Sequence, residues 1–253
     1  MQPAPVRLPF IRLDREWVPS FQAYPFNLPV VRALETLHLH PAVTFLAGEN
    51  GSGKSTLLEG AAVALGLNAE GGGHNIRFAT RTSHSVLHSY LDLGLEGNRP
   101  PDGFFLRAES LYNLATEVEK RDREGAFGGA LAQAYGGRPL HEMSHGEAFA
   151  ALFENRLSRP GVYLLDEPEA ALSPARQLAL LATIHRMVRA GSQLVIATHS
   201  PILLAYPHAW IYALGATGIV RTPYERTEAY RVTRDFMADP RGALDGLLAG
   251  AET

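Results

Sequence analysis

The sequence predicts an α/β fold with a mainly parallel central sheet flanked by helices. Three short, largely apolar runs, "AVTFLAG", "GVYLLDE" and "QLVIATHS", have the composition of buried parallel strands. The second and third are separated by a helical pattern, and strand, helix, strand in that order implies a right-handed parallel crossover. With 253 residues and 46% apolar content, the chain can bury a substantial core.

The first forty residues favour a different arrangement. "VRLPFIRLDREWV" mixes apolar and charged residues, which is typical of edge strands, so we expect an N-terminal antiparallel β portion. In "VVRALETLHLH" the spacing of Val31, Leu34 and Leu37 is closer to that of a helix.

The middle and end of the chain complete a single domain over residues 1–253. Residues 68–160 are rich in glycine breaks and are predicted to form a small helical and loop insertion, with a strand at "GFFLR". A helix follows Ser173 as N-cap and ends before Gly191. "AWIYALGATGIVRT" predicts an edge hairpin, and "PRGALDGLLAG" predicts a closing helix.

Composition excludes several classes of function. The formal net charge of −3 gives no global electrostatic case for binding nucleic acid or an anionic membrane. The chain has no cysteine, which excludes disulfides, thiolate metal sites and cysteine nucleophiles. The N-terminus does not resemble a signal peptide, and no apolar run is long enough for a transmembrane helix, so we expect a cytoplasmic location.

The stretch "GENGSGKST" matches the phosphate-loop pattern G-x-x-x-x-G-K-[ST], with a strand before it and a helix after it. Its glycines let backbone N–H groups approach phosphate oxygens, and the helix N-terminus adds partial positive charge. The predicted nucleotide-binding residues here are Glu49, Asn50, Gly51, Ser52, Gly53, Lys54, Ser55 and Thr56. Lys54 is expected to pair with the β and γ phosphates of ATP, and the Ser55 hydroxyl to bind Mg²⁺. Within the α/β class, the sequence therefore predicts a P-loop NTPase fold.

Acidic and histidine side chains at the ends of the later strands supply a second half of the site. In "VYLLDEPEAALS", Asp166 is expected to hold magnesium, in part through water, and Glu167 to orient or deprotonate the attacking water. In "VIATHSP", His199 can contact the γ-phosphate or stabilise the transition state. We therefore predict Lys54, Glu167 and His199 as the catalytic residues.

With "GENGSGKST", "SHGE", "LLDEPEAALS" and "ATHS" in this order, the chain resembles the ATP-binding-cassette (ABC) ATPase superfamily, and in particular compact stand-alone ATPases related to its SMC and recombination-type repair branch. The resemblance implies that Ser144, Gly146 and Glu147 form a signature that contacts ATP bound by a second protomer. It therefore implies an ATP-dependent, head-to-tail homodimer.

Two positions depart from the pattern of that superfamily. Met143 precedes the signature serine, and His145 replaces its first glycine. The glutamine that normally adjoins the metal site is absent, and "FFLRAES" places Glu109 or Arg107 there, with Glu109 as a further candidate metal ligand.

Three functions are compatible with these residues. The first is an ATPase whose dimerisation drives a partner, such as a nuclease, or acts on DNA. The second is the motor subunit of a membrane transporter, docked to a permease through the surface around residues 104–112. The third is a P-loop phosphotransferase, which the adjacent Asp166 and Glu167 disfavour because they suit activation of water.

Two further sets of residues have simpler interpretations. His84 and His88 have the spacing of a helix face but lack a clear third metal ligand. Trp17, Tyr24 and Phe26 include candidates for stacking on adenine, although core packing is the ordinary role of such residues.

Overall fold

The computed structural model describes residues 8–69, 71–73, 85–95, 100, 102–108, 151–155, 157, 159–170 and 172–251. Within them a large, mostly parallel sheet is flanked by helices, and a small antiparallel sheet is formed near the N-terminus. The predicted α/β class with an N-terminal antiparallel portion is confirmed.

In the described part of the chain the central sheet has seven strands, which are β3 Val43–Ala47, β4 Gly72–Gly73, β6 Gly103–Arg107, β7 Val162–Asp166, β8 Gln193–Thr198, β9 Trp210–Gly215 and β10 Gly218–Arg221. Their order in the sheet is β10-β9-β3-β8-β7-β6-β4. The five middle strands run parallel, and each outer strand is antiparallel to its neighbour.

The small sheet has the order β2-β1-β5, with strands Phe10–Leu13 (β1), Thr36–His38 (β2) and Leu91–Asp92 (β5). The helical spacing expected for residues 30–40 is only partly correct. A short helix, α1, spans Pro29–Arg32, but β2 then pairs with β1, where Ile11 lies opposite Leu37. Pairing with a distant strand overrides the local periodicity here.

The remaining labelled helices are α2 (Lys54–Ala64), α3 (Pro174–Arg189), α4 (Pro201–Leu204), α5 (Glu228–Ala238) and α6 (Pro240–Ala251). The predicted cap of α3 is present, since the Ser173 hydroxyl accepts a hydrogen bond from the Arg176 amide. The predicted hairpin is formed by β9 and β10, and the predicted closing helix is α6. None of the helices in the described residues is both long and apolar enough to span a bilayer.

Apolar side chains cover both faces of the central sheet. On one face, α3 contributes Leu180, Ile184 and Met187 to a core that includes Phe45 and Leu165. On the other, α1, α2 and β1 pack over neighbouring sheet positions such as Leu46 and Leu164. Adjacent residues of one strand thus enter opposite cores, as the pleat requires, and this leaves the strand ends for polar groups.

Strand β6 lies within the range predicted as an insertion, residues 68–160, and yet it pairs with β7 inside the central sheet. The sheet therefore takes one of its parallel strands from this range. The positions that carry the expected signature, residues 144–147, lie outside the described residues.

Candidate active site

Four adjacent parallel strands, β3, β8, β7 and β6, end at the same edge of the sheet. At their carboxyl ends Ala47 pairs with Thr198, and Asp166 pairs with Ala197 on one side and with Arg107 on the other. Open α/β sheets bind ligands in the crevice beyond this edge. The register alone therefore brings the phosphate loop, the acidic turn and the histidine turn to one place.

The phosphate loop connects β3 to α2 and depends on glycine at Gly53. This residue is left-handed, with φ +93°, and a Cβ added to it would overlap Cγ1 of Val30. Both the conformation and the space therefore require glycine. Gly51 also has positive φ, at +81°, but no atom lies within 4 Å of a Cβ placed there.

Lys54 begins α2, and its side chain is buried. Its ammonium group donates hydrogen bonds to the carbonyl oxygens of Gly48 (2.8 Å) and Glu49 (2.9 Å). It also lies 3.8 Å from Oε1 of Glu167. A buried cation must be paired, and Lys54 is paired with groups of the loop itself and with the expected catalytic base.

Ser55 and Asp166 are in direct contact. The Ser55 hydroxyl donates a hydrogen bond of 3.0 Å to Oδ1 of Asp166. Burial raises the pKa of Asp166 to about 6, even though the Ser55 hydrogen bond and the positive charge of Arg107 each act to lower it, while the negative charge of Glu167 raises it further. A poorly solvated carboxylate of this kind gains strongly from a bound cation.

The pair of Ser55 and Asp166 fits Mg²⁺, which binds oxygen ligands and usually retains water and substrate phosphates in its coordination shell. In the part of the chain that the structure describes, no cluster of three or more His, Asp or Glu side chains is placed to hold a metal. A site with only two protein ligands is consistent with a magnesium ion whose coordination is completed by phosphate and water.

Glu167 follows β7 in a left-handed conformation, with φ +49°, which is uncommon for a residue other than glycine. Its amide donates a hydrogen bond of 2.9 Å to the Ala197 carbonyl on β8. His199 Nδ1 lies 3.8 Å from Oε1 of Glu167. The two predicted catalytic side chains are thus neighbours, beside Lys54.

Arg107 is one of the two residues considered for the position of the expected glutamine. Its Nη1 donates a hydrogen bond of 2.9 Å to Oε2 of Glu59 on α2, and its Nε lies 3.8 Å from Oδ2 of Asp166. A permanent cation therefore adjoins the predicted magnesium site. Glu109, the other candidate at this position, lies outside the described residues, as do Ser144, His145, Gly146 and Glu147.

The sequence reasoning missed Glu169, the second glutamate of "DEPE". Its side chain is buried, and Oε1 accepts hydrogen bonds from the Thr198 hydroxyl and from the amides of His199 and Ser200. A third acidic residue in the same tight turn was the available signal, because a turn rarely buries a carboxylate unless it binds backbone or cationic groups.

These residues surround a cavity of about 510 Å³. Its lining includes Asn50, Gly51, Lys54, Ser55, Thr56, Arg107, Asp166 and Glu167. Leu28, which precedes α1, adds an apolar side chain to the lining. The aromatic residues considered for adenine do not line it. Phe26 is buried edge-to-face against Tyr90, and Trp17 and Tyr24 are largely exposed.

His88 does not approach this cavity. Its Nδ1 is 3.0 Å from the Ser85 carbonyl oxygen and its Nε2 is 3.2 Å from the Ser89 hydroxyl. His84 lies outside the described residues.

The strand order and the loop define a P-loop nucleotide-binding protein. Residues 99–205 match a family model described as "AAA domain, putative AbiEii toxin, Type IV TA system". The chain is 31% identical over 168 residues to a "Putative ABC transporter ATP-binding protein" of Streptomyces coelicolor, covering 61% of this chain and 57% of that protein. It is 28% identical over 255 residues to the cobalt import ATP-binding protein CbiO of Salmonella typhimurium, covering 90% of both.

Among solved structures, cbiO1 from Clostridium perfringens, part of an ABC transporter complex, aligns with a TM-score of 0.44 at 18% identity, covering 83% of this chain and 90% of that one. The family match and the curated relatives confirm the resemblance to ABC-type ATPases that the motifs predict.

Proposed function

We propose that this chain is an ATP-hydrolysing motor subunit that uses Glu167 as its general base. The observation that carries the proposal is the convergence of Lys54, Ser55, Asp166 and Glu167 on a single cavity at the carboxyl edge of the sheet. The cavity is also large enough for a nucleotide, since small-molecule sites are usually ~300–1,000 Å³.

Binding starts from the phosphate loop. The amides of residues 50–56 and the N-terminus of α2 attract the phosphates, and Lys54 exchanges its contacts with the Gly48 and Glu49 carbonyls for phosphate oxygens. Ser55 and Asp166 hold magnesium. When bound, the ion neutralises charge that develops on the phosphate oxygens.

Glu167 performs the proton transfer. Its carboxylate accepts a proton from a water molecule, whose oxygen forms a bond to the γ-phosphorus of ATP while the bond from that phosphorus to the bridging oxygen breaks. ADP leaves with the electron pair of the broken bond. His199, beside Glu167, stabilises the charge on the transferred group.

The proposal has two forms, in which the motor acts either on a membrane permease or on DNA or a nuclease. The curated relatives bear the names of transporter ATP-binding proteins, and they favour coupling to a membrane permease over the action on DNA or a nuclease expected first from sequence. This chain departs from the usual motif pattern at Arg107 and in the signature. We propose a permease partner despite these two differences.

Phosphate release tests the chemical step. Wild-type protein is expected to release phosphate from MgATP without any added acceptor, and Glu167→Gln to lose nearly all of this activity while still binding ATP. Glu225→Gln, which changes an exposed acid in another turn, is the matched control and should match the wild type. Release that requires an acceptor substrate would support a phosphotransferase instead.

Light scattering tests the motor. Because Glu167→Gln should trap the ATP-bound state, its solution mass is expected to double only when MgATP is present. A Glu167→Gln chain that binds ATP and stays monomeric would contradict the self-dimer.

The partner is tested with the same trapped variant. Tagged Glu167→Gln with MgATP should retain a multi-span membrane protein from detergent extracts, whereas Lys54→Met should not. ATP-dependent retardation of DNA that weakens with salt would favour the DNA-linked form.

A further inference from the structure

The buried carboxylate of Glu169 binds the turn that carries His199. Only 5% of Glu169 is exposed. Its Oε1 accepts three hydrogen bonds, one from the Thr198 hydroxyl and two from the amides of His199 (3.0 Å) and Ser200 (3.2 Å). Its Oε2 has no hydrogen-bond partner among the described residues.

The acidic turn on one side of this contact is firmly placed. The Glu167 amide is bound to the Ala197 carbonyl, and the Leu172 amide donates a hydrogen bond of 2.8 Å to the Glu169 carbonyl. The Glu169 side chain therefore extends from a fixed piece of backbone. Hydrogen bonds from amides to a buried carboxylate are strong, so they transmit that placement to residues 198–200.

The imidazole on the other side is weakly held by its own packing. About half of the His199 side chain, 51%, is exposed. Its Nδ1 lies 3.7 Å from Oε1 of Glu169 and 3.8 Å from Oε1 of Glu167, which are ion-pair distances and longer than hydrogen bonds. The position of the ring relative to Glu167 consequently depends on the backbone that Glu169 holds.

We propose that Glu169 is a positioning residue, which acts through the backbone of residues 198–200 to hold His199 beside Glu167. This inference rests on the proposed function, since it assumes that Glu167 and His199 act in ATP hydrolysis. It adds a residue that ATP hydrolysis would require besides those of the phosphate loop and the Asp166–Glu167 pair.

Two variants of Glu169 distinguish the effect of side-chain length from that of charge. Glu169→Gln keeps the length of the side chain and one carbonyl oxygen, so it can still accept all three hydrogen bonds. Glu169→Asp keeps the charge but is one methylene shorter. We expect Glu169→Gln to retain kcat within about 3-fold, and Glu169→Asp to lose about 10- to 100-fold in kcat with an unchanged KM for ATP, because a misplacement near 1 Å is sufficient for such a loss.

Amide hydrogen exchange of the nucleotide-free protein provides a readout that does not depend on activity. The His199 and Ser200 amides should exchange faster in Glu169→Asp than in Glu169→Gln or the wild type. The Arg176 amide, which is bound by the Ser173 hydroxyl on another turn, should be unchanged in all three.

The His199→Ala background tests the route of action. In that background Glu169→Asp should cause no further loss of kcat, because the group it positions is gone. If Glu169→Asp does not fold, Thr198→Val takes its place and should lower kcat only when His199 is present. This variant removes one of the three donors to Glu169 and also the hydroxyl that accepts a hydrogen bond of 3.0 Å from the Ser200 amide.

Equal rates for Glu169→Asp and the wild type would overturn the inference, as would an active Asp variant beside an inactive Gln variant, or a full additional loss in His199→Ala. These outcomes are distinct from failure of the proposed function, in which the wild type itself releases no phosphate. In that case unchanged protection of the His199 and Ser200 amides in Glu169→Asp would still refute the positioning contact.

Discussion

The hydroxyl of Ser55 donates a hydrogen bond of 3.0 Å to Oδ1 of Asp166, a residue 111 positions further along the chain. The contact joins the first turn of α2 to the last residue of β7. It places two oxygen atoms at the edge of the cavity and connects the phosphate loop to the acidic turn.

Asp166 should make the stability of the nucleotide-free protein depend on pH. Folding raises its pKa from 3.8 to about 6, so the folded chain retains the proton over a range in which the unfolded chain has released it. The free energy of unfolding should therefore fall by on the order of 3 kcal/mol as the pH rises through this window. Above the window it should no longer change with the ionisation of Asp166. Asp166→Asn removes the titration.

The measurement for Asp166 is the urea midpoint of both proteins from about pH 4 to about pH 8. The wild type should lose stability relative to Asp166→Asn across the lower part of that range. A difference that is constant with pH would contradict the prediction.

Arg107→Gln should change the electrostatics of the proposed magnesium site. The Arg107 cation lies 3.8 Å from Asp166 and acts to lower the pKa of that carboxyl. Without it, the pKa of Asp166 should rise further, and the midpoint of the pH-dependent loss of stability should move to higher pH. Arg107→Lys retains a positive charge and serves as the control.

The same variants can be compared for magnesium at about pH 8, where Asp166 is ionised in both. Removing a neighbouring positive charge should then tighten the apparent Mg²⁺ affinity in the presence of ATP, by about 3- to 10-fold if the effective interaction is near 1 kcal/mol. Weaker binding in Arg107→Gln than in Arg107→Lys would show that Arg107 supports the site by its contacts.

Gly53→Ala should destabilise the protein more than Gly191→Ala. The two glycines have nearly the same left-handed conformation, φ +93° and +91°, which costs an L residue roughly 1–2 kcal/mol in either place. Only at Gly53 would the new methyl group meet Val30, which adds about 1–3 kcal/mol of overpacking.

Chemical denaturation of the two glycine variants provides the comparison. Val30→Ala, introduced together with Gly53→Ala, should recover part of the extra loss, since it removes the overlapping atom. Equal stabilities for Gly53→Ala and Gly191→Ala would argue against the close contact.

Lys54→Met should weaken ATP binding. The buried ammonium group is bound to the loop carbonyls, and hydrogen bonds to a charged group are worth about 1.5–3 kcal/mol, equivalent to about a 10- to 150-fold rise in Kd. Calorimetry with MgATP measures the Kd of both proteins. Thermal unfolding should show a folded protein, and an unchanged Kd would exclude Lys54 from phosphate binding.

Much of the fold was predictable because its signals are local. A strand such as β7 is a short apolar run closed by acids, and α3 carries its own cap at Ser173. The same holds for the phosphate loop, whose glycines and lysine are adjacent in sequence, and for the placement of Asp166 at a strand end.

The features that escaped prediction depend on distant parts of the chain. Strand β2 exists through its pairing with β1, and the register places Phe10 opposite His38. Helix α5 is an exception, because its signal is local: Thr227 caps it by accepting a hydrogen bond from the Tyr230 amide. Glu169 makes its contacts 29 to 31 residues further along the chain, at a turn that no local pattern links to it.

The contacts of Lys54 bear on how the catalyst turns over. The Gly48 and Glu49 carbonyls satisfy the ammonium group within the chain itself, so the loop holds no uncompensated buried cation. Under the proposed function, the same two carbonyls compete with nucleotide phosphates for Lys54. Internal competition of this kind would limit the affinity for ATP and speed the departure of ADP, so the loop would set a balance between substrate capture and product release.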